Sequence, residues 1–167
     1  MSRFSHTLAA AAISLAALTA PARAEEIYLT GFGHVFSLGI CSIGPGRCVS
    51  YLFVESTIAD LCQNKAGDPV RVVGHSMGAS AAIKLAREVS ACGRRVEAAA
   101  FLDPLVHPKA YGLPRGTRSL TLYSPGFAGA GEGQADAESY AGGHIGLAFD
   151  PGVHARVRVF LNRKGGV

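Results

Sequence analysis

The feature that most restricts this chain is a five-residue bend, Gly74-His75-Ser76-Met77-Gly78. It lies between an apolar run (Val70-Arg71-Val72-Val73) and a stretch with apolar residues at helical spacing (Ala82, Leu85, Ala86, Val89) that Gly93 closes. A run of four strand-forming residues passing straight into a 3.6-residue period predicts strand, tight turn, helix. Gly74 and Gly78 fit a turn that presses a strand end against a helix start, where a Cβ has no room. The pentapeptide alone arises by chance about 0.2 times in a chain with this glycine content. Its position between strand and helix is what makes it informative. Such a bend would hold the Ser76 hydroxyl out at the carboxyl edge of a sheet, beside the positive end of a helix.

The rest of the chain reads as further strands and helices in alternation. Ile27-Tyr28-Leu29-Thr30 is a β-rich run ending in the glycine loop Gly31-Phe32-Gly33-His34. Residues 35–50 are rich in glycine and small residues and show no clear period. Val54, Ile58 and Leu61 suit one helix face that Gly67-Asp68-Pro69 ends. Residues 96–102 form a continuous apolar strand ending at Asp103-Pro104, and residues 119–123 another. A Pro/Gly-punctuated loop (105–116) and a Gly/Ala-rich loop (126–143) follow these two strands. Asp150-Pro151 is a helix start with its carboxylate as N-cap, and Val153, Val157, Phe160 and Leu161 give that helix an apolar face. Strands apolar along their whole length imply a mostly parallel sheet covered on both faces, a three-layer α/β sandwich.

The first 24 residues read differently. Arg3, an apolar Ala-rich run (8–20) and Pro21-Ala22-Arg23-Ala24 are the three parts of a secretory signal peptide. The apolar run is ~13 residues, short of the ~20 that span a bilayer. Residues 25–167, about 143 of the 167, suffice for one domain with a single core. We therefore expect a signal peptide over 1–24 and one domain over 25–167, exported to the periplasm or secreted, with no stable membrane insertion after cleavage. Formal charge is +4, and the basic residues are scattered, which argues against nucleic acid as partner. Arg156, Arg158, Arg163 and Lys164 read as a solvated helix face. In an exported chain the four cysteines predict disulfides. Cys41 and Cys48 bracket a Gly/Pro-rich turn, which pairs them first and leaves Cys62 with Cys92. No cysteine has metal-ligand spacing, so a zinc site is not expected.

The run Val-Val-Gly-His-Ser-Met-Gly-Ala-Ser (72–80), the glycine loop after an earlier strand and a later Asp-then-His order resemble the α/β-hydrolase superfamily over most of residues 27–161. The resemblance implies a reduced α/β-hydrolase fold with Ser76 as nucleophile. A serine near neutral pH needs a base, and the base an orienting carboxylate. In superfamily order the base is His144, in Ala141-Gly142-Gly143-His144-Ile145, a loop before the final helix. His34 and His107 precede the last strand, His75 lies inside the bend with its side chain turned away, and His154 sits inside the final helix. Asp103, in Leu-Asp-Pro at a strand end as in pancreatic-type lipases, is the first choice of acid. Most of the superfamily places the acid one strand later, which points to Asp136 or Glu132; Asp150 reads as a helix cap. The resemblance also implies an oxyanion hole from the backbone N–H groups of Met77 and Phe32.

One departure stands out: only about 40 residues separate the glycine loop from the bend, where the superfamily has a full helix and a strand. We expect a trimmed sheet or an irregular crossover tied by Cys41–Cys48, and an open site without a cap domain. The activity implied is cleavage of a small-molecule ester or lipid substrate without metal or organic cofactor, with Phe32, Phe36, Leu38 and Phe127 as acyl-groove or core residues. Export argues against coenzyme A thioesters. The alternatives are a thioesterase, acyltransferase or peptidase using the same residues, and a non-catalytic binding protein that keeps the bend for folding.

Overall fold

The computed structural model describes residues 24–64, 67–105, 112–127 and 137–163. Six parallel strands form one sheet in the order β2-β1-β3-β4-β5-β6: β1 Glu25–Thr30, β2 Arg47–Ser50, β3 Val70–His75, β4 Val96–Leu102, β5 Arg118–Tyr123 and β6 Ala137–Ser139. β3 and β4, in the middle, are buried along nearly their whole length, as a strand covered on both faces must be. The architecture is the three-layer α/β sandwich expected, and every pairing is parallel.

Two cores flank the sheet. On one face α1 (Val54–Gln63) and α2 (Met77–Ala91) pack Ile58, Leu61, Ile83, Leu85 and Val89 against Ile27, Leu29, Val72 and Phe101. Each fully buried aliphatic side chain here is worth roughly 1.5–3 kcal/mol of apolar transfer. The Cys62–Cys92 bridge joins the ends of these two helices. On the opposite face lie a 3-10 stretch, His34–Ser42, and the helices α3 (Gly143–Phe149) and α4 (Pro151–Asn162). They bury Ile40, Ile43, Leu147, Val153, Val157 and Leu161 against Tyr28, Val73, Leu102 and Leu122. Asp150 caps α4 through Gly152 and Val153 N–H, with Pro151 in the first turn, as its sequence predicts.

The connection from β1 to β2 runs on the second face, and the connections from β2 to β3 and from β3 to β4 run on the first. Opposite directions of travel on opposite faces preserve one crossover hand. The winding therefore reverses between β1 and β3, and a cleft at the carboxyl ends of such strands is where open α/β sheets bind ligands.

Four details differ from the sequence reading. Residues 35–50, which show no clear period, form most of the 3-10 stretch and the short strand β2, and Cys41–Cys48 ties one to the other. The loop 126–143 contains β6, an edge strand of three residues that is too short to show a period. His144 lies not in a loop but in the first turn of α3, whose Gly142-Gly143 start hides it from helix propensity. Arg156 and Arg158 are not simply solvated: Arg156 pairs with Glu138, and Arg158 donates to the carbonyls of Ile43 and Ser42. Lys164, His107, Glu132 and Asp136 lie outside the described residues, as does the expected signal segment apart from Ala24. Both bridges join the expected partners, with Cα–Cα distances of 5.4 and 5.8 Å, and are compatible with an exported protein. No described helix is long and apolar enough to cross a membrane.

Candidate active site

The bend after β3 is as tight as its glycines imply. A Cβ on Gly74 would fall inside the Gly78 carbonyl, and one on Gly78 inside the Leu29 carbonyl of neighbouring β1. The turn leaves Ser76 at φ 57°, ψ −124°. Only Ser76 and Asp103 among the described non-glycine residues have positive φ. Such backbone costs on the order of 1–3 kcal/mol per residue and persists where the surroundings over-determine it.

The strand ladder supplies that determination. His75 pairs with Leu102 across β3 and β4. Beyond the last rungs, Ser76 N–H donates to the Leu102 carbonyl (2.9 Å) and Asp103 N–H to the Leu122 carbonyl of β5 (2.8 Å). Two adjacent strands thus end in register, with Ser76 on one and Asp103 on the other. Ser76 occupies the N-cap of α2, yet its side chain caps nothing. Its hydroxyl donates instead to His144 Nε2 (3.0 Å), and His144 Nδ1–H donates to Asp103 Oδ2 (3.0 Å). The carboxylate beside Nδ1 keeps the ring proton there, which leaves Nε2 free to accept.

Asp103 is 1% exposed, so its charge depends on donors. Ser124 N–H reaches Oδ1 (2.6 Å) and the Ser124 hydroxyl reaches Oδ2. Hydrogen bonds of this kind orient a buried carboxylate. Ser124 directly follows β5, the strand next to the one that Asp103 ends. No motif marks Ser124 in the sequence, because its role depends on the β4–β5 register.

Three more residues complete the surroundings, of which Ser37 is missing from the sequence reading. Phe127 stacks on one face of the His144 ring, with centroids 3.6 Å apart and planes at 11°. His75 stacks nearby at 4.7 Å. Its side chain points away from Ser76, since alternate strand residues face opposite sides, and lands beneath α3. There its Nε2 bonds the His144 carbonyl (2.8 Å) and its Nδ1 the hydroxyl of Ser37 (2.8 Å). Burial pushes the His75 pKa down to about 4. His75, Asp103 and His144 bring one ligand atom each within 4.8 Å of one another. Both nitrogens of His75 are already engaged, however, which leaves this cluster a poor metal cage.

The loop after β1 closes the other side. A Cβ on Gly31 would stand 2.7 Å from the His75 carbonyl, 2.9 Å from Ser76 Cβ and 3.3 Å from Met77 N. Only a glycine lets this backbone lie so close to the bend. Met77 opens α2, so its N–H is among those that the helix cannot satisfy. Phe32 follows Gly31 directly and is 74% exposed. His34 is exposed and bonds Thr30 (2.5 Å), and His154 bonds the Ala148 carbonyl (2.8 Å), whereas the Ser76 hydroxyl bonds His144. A polar recess of about 880 Å³ lies at the opposite edge of the sheet, lined by Glu26, Tyr28, Arg47, Arg71 and Arg158. Its charges pair with protein partners, Arg71 with Glu26 and Glu97, Arg47 with Glu25 and Asp60.

No protein-family model and no curated protein matches the chain. Solved structures do. Human thioesterase 2 superimposes with a TM-score of 0.58 at 13% identity, over 83% of this chain and 94% of that one. The NocB thioesterase domain from the nocardicin cluster gives 0.57 at 15%, over 85% and 96%. An acetylxylan esterase gives 0.50 at 14%, over 86% and 99%. The fold is that of the α/β hydrolases. At these identities the likeness is one of fold.

Proposed function

We propose that this chain is an exported serine hydrolase that cleaves carboxylic esters through an acyl-enzyme on Ser76. The observation carrying the reading is the continuous hydrogen-bonded line from Ser76 Oγ through both nitrogens of His144 to Asp103. In this reading Ser76 Oγ attacks the ester carbonyl while its proton passes to His144 Nε2. The imidazolium is held by Asp103 and returns the proton to the departing alkoxide. Water, deprotonated by the same nitrogen, then adds to the acyl-serine and releases the acid. Met77 and Phe32 N–H are the proposed oxyanion donors. One such donor is worth on the order of 3 kcal/mol in the transition state.

The surface supports an apolar acyl group. Phe32, Phe36, Leu52, Phe53, Leu105 and Ile145 are all exposed. All follow strand carboxyl ends or adjoin His144, so they gather on the rim that carries Ser76. An apolar rim around a reactive group is the expected surface for an apolar ligand. This corrects the core alternative for Phe32 and Phe36, which stand in solvent, and for Phe127, which covers His144. Two of the similar structures are thioesterases, and a thioester would suit the same residues. The two disulfides favour an oxidising compartment and hence an oxygen ester.

A fluorophosphonate probe tests the reading directly. Wild-type protein should be labelled and Ser76→Ala should not. A p-nitrophenyl ester series should be hydrolysed faster as the acyl chain lengthens from acetate, and faster than matched thioesters. A folded wild-type protein that resists the probe would leave a binding protein in its place.

A further inference from the structure

The mechanism above makes no use of His75, although it is the buried one among the described histidines, at 1% exposure. Burying an imidazole is unfavourable unless both nitrogens find partners. Here both do, and the partners are informative. Nδ1 meets Ser37 on the 3-10 stretch, and Nε2 meets the main-chain carbonyl of His144. A carbonyl only accepts, so Nε2 carries the proton, and Nδ1 then accepts from the Ser37 hydroxyl. The low pKa keeps the ring in this neutral form through the range in which a hydrolytic histidine cycles.

His144 needs such support. It lies in the first turn of a seven-residue helix whose N-cap, Gly142, offers no side-chain bond. Helices of this length do not hold themselves in water. Two hydrogen bonds fix the plane of the His144 ring, and Phe127 covers one face. The main chain beneath the ring is gripped by His75, the residue adjoining Ser76.

We infer that His75 is a positioning residue: it ties the backbone of His144 to the bend that carries Ser76, and thereby sets the Oγ–Nε2 separation across which the proton moves. The inference rests on the hydrolase reading and deepens it. His75 touches no reacting atom and acts through His144.

Three variants and one background test it, with steady-state hydrolysis of a soluble p-nitrophenyl ester and the rate of fluorophosphonate labelling as readouts. His75→Phe keeps the ring and its stacking but loses both hydrogen bonds. It should lower kcat on the order of 10–100-fold with KM within about twofold, since a misplacement near 1 Å costs that much. His75→Gln retains an N–H donor near the Nε2 position and should recover most of the lost rate. Ser37→Ala leaves the grip on His144 intact and should cost less than either. In a His144→Ala background, His75→Phe should leave the residual labelling rate unchanged, because a residue acting only through His144 has nothing further to lose. Unchanged kcat in His75→Phe, equal losses in the Phe and Gln variants with raised KM, or a further loss in the His144→Ala background would each overturn the proposal. A folded wild-type protein that is neither labelled nor active overturns the hydrolase reading itself, which keeps the two failures apart.

Discussion

The two faces of the sheet are built by different means, and the candidate site spans both. On the first face, α1 and α2 are regular helices whose apolar stripes meet the sheet. Their long-range ties include the bridge between helix ends, Cys62–Cys92, the Lys84–Glu55 ion pair and the Arg94 bond to the Leu61 carbonyl. The second face is a patchwork of a 3-10 stretch, the seven-residue α3 and α4. It is stitched by Cys41–Cys48, by Arg158 to the carbonyls of residues 42 and 43, by Arg118 to the Phe160 carbonyl, and by Ser37–His75–His144. Ser76 belongs to the regular side, where glycine sterics within five residues hold it. His144 belongs to the patchwork, where bonds from residues far away in sequence hold it. The position of Ser76 should therefore tolerate distant changes, and that of His144 should not.

The largest expected effect bears on the base side alone. Asp103→Asn should lower kcat by about 10⁴-fold, because the amide cannot hold the His144 proton on Nδ1, while thermal unfolding shifts far less. Retained activity in kinetics of this variant would move the acid to Asp136.

The two disulfides sharpen the contrast. In the chain-entropy picture, opening Cys62–Cys92 (sequence separation 30) should cost ~4 kcal/mol, and opening Cys41–Cys48 (separation 7) ~2.5 kcal/mol. Activity should follow the reverse order, because the shorter loop holds the segment bearing Ser37. Alanine pairs compared by urea unfolding and by kcat would show whether stability and activity separate in this way.

Acid should loosen the second face first. His75 is neutral in the folded protein down to about pH 4 but titrates near its ordinary value, 6.5, when unfolded. Its contribution is complete above pH 6.5 and is lost as pH falls from there towards 4, on the order of 3 kcal/mol. Urea midpoints between pH 7.5 and 4 should fall more steeply for wild type than for His75→Gln, and parallel curves would contradict the assignment. A smaller effect is expected of Ser124→Ala, which removes one of the two Ser124 bonds to Asp103. A loss of about tenfold in kcat is anticipated, that of one hydrogen bond to a charged group, with KM unchanged.

Legibility followed the same division. The strand–bend–helix unit, the core strand 96–102, the Asp150-Pro151 helix start and both disulfide pairs could be read from short windows, because period, capping chemistry and glycine sterics act within a few residues. Residues 35–50 and 137–149 could not. A 3-10 stretch, a three-residue edge strand and a Gly-Gly-initiated helix carry too few periods to stand out. Ser124 and Ser37 carried no signal as site residues, since nothing local distinguishes a serine that a distant strand will need, and Phe127 read only as an acyl-groove or core residue.

By itself, then, the sequence determined that residue 76 sits in a strained bend between strand and helix, that parallel strands stack between two helical layers, and which cysteines meet. Only the tertiary structure decided that Ser76 and Asp103 end neighbouring strands in register, that Ser124 occupies the next strand end and holds the carboxylate, and that His75 turns under α3 to grip His144. Those choices depend on contacts between residues 20 to 70 positions apart, where the energy comes from packing and mutual hydrogen bonding of the whole sheet.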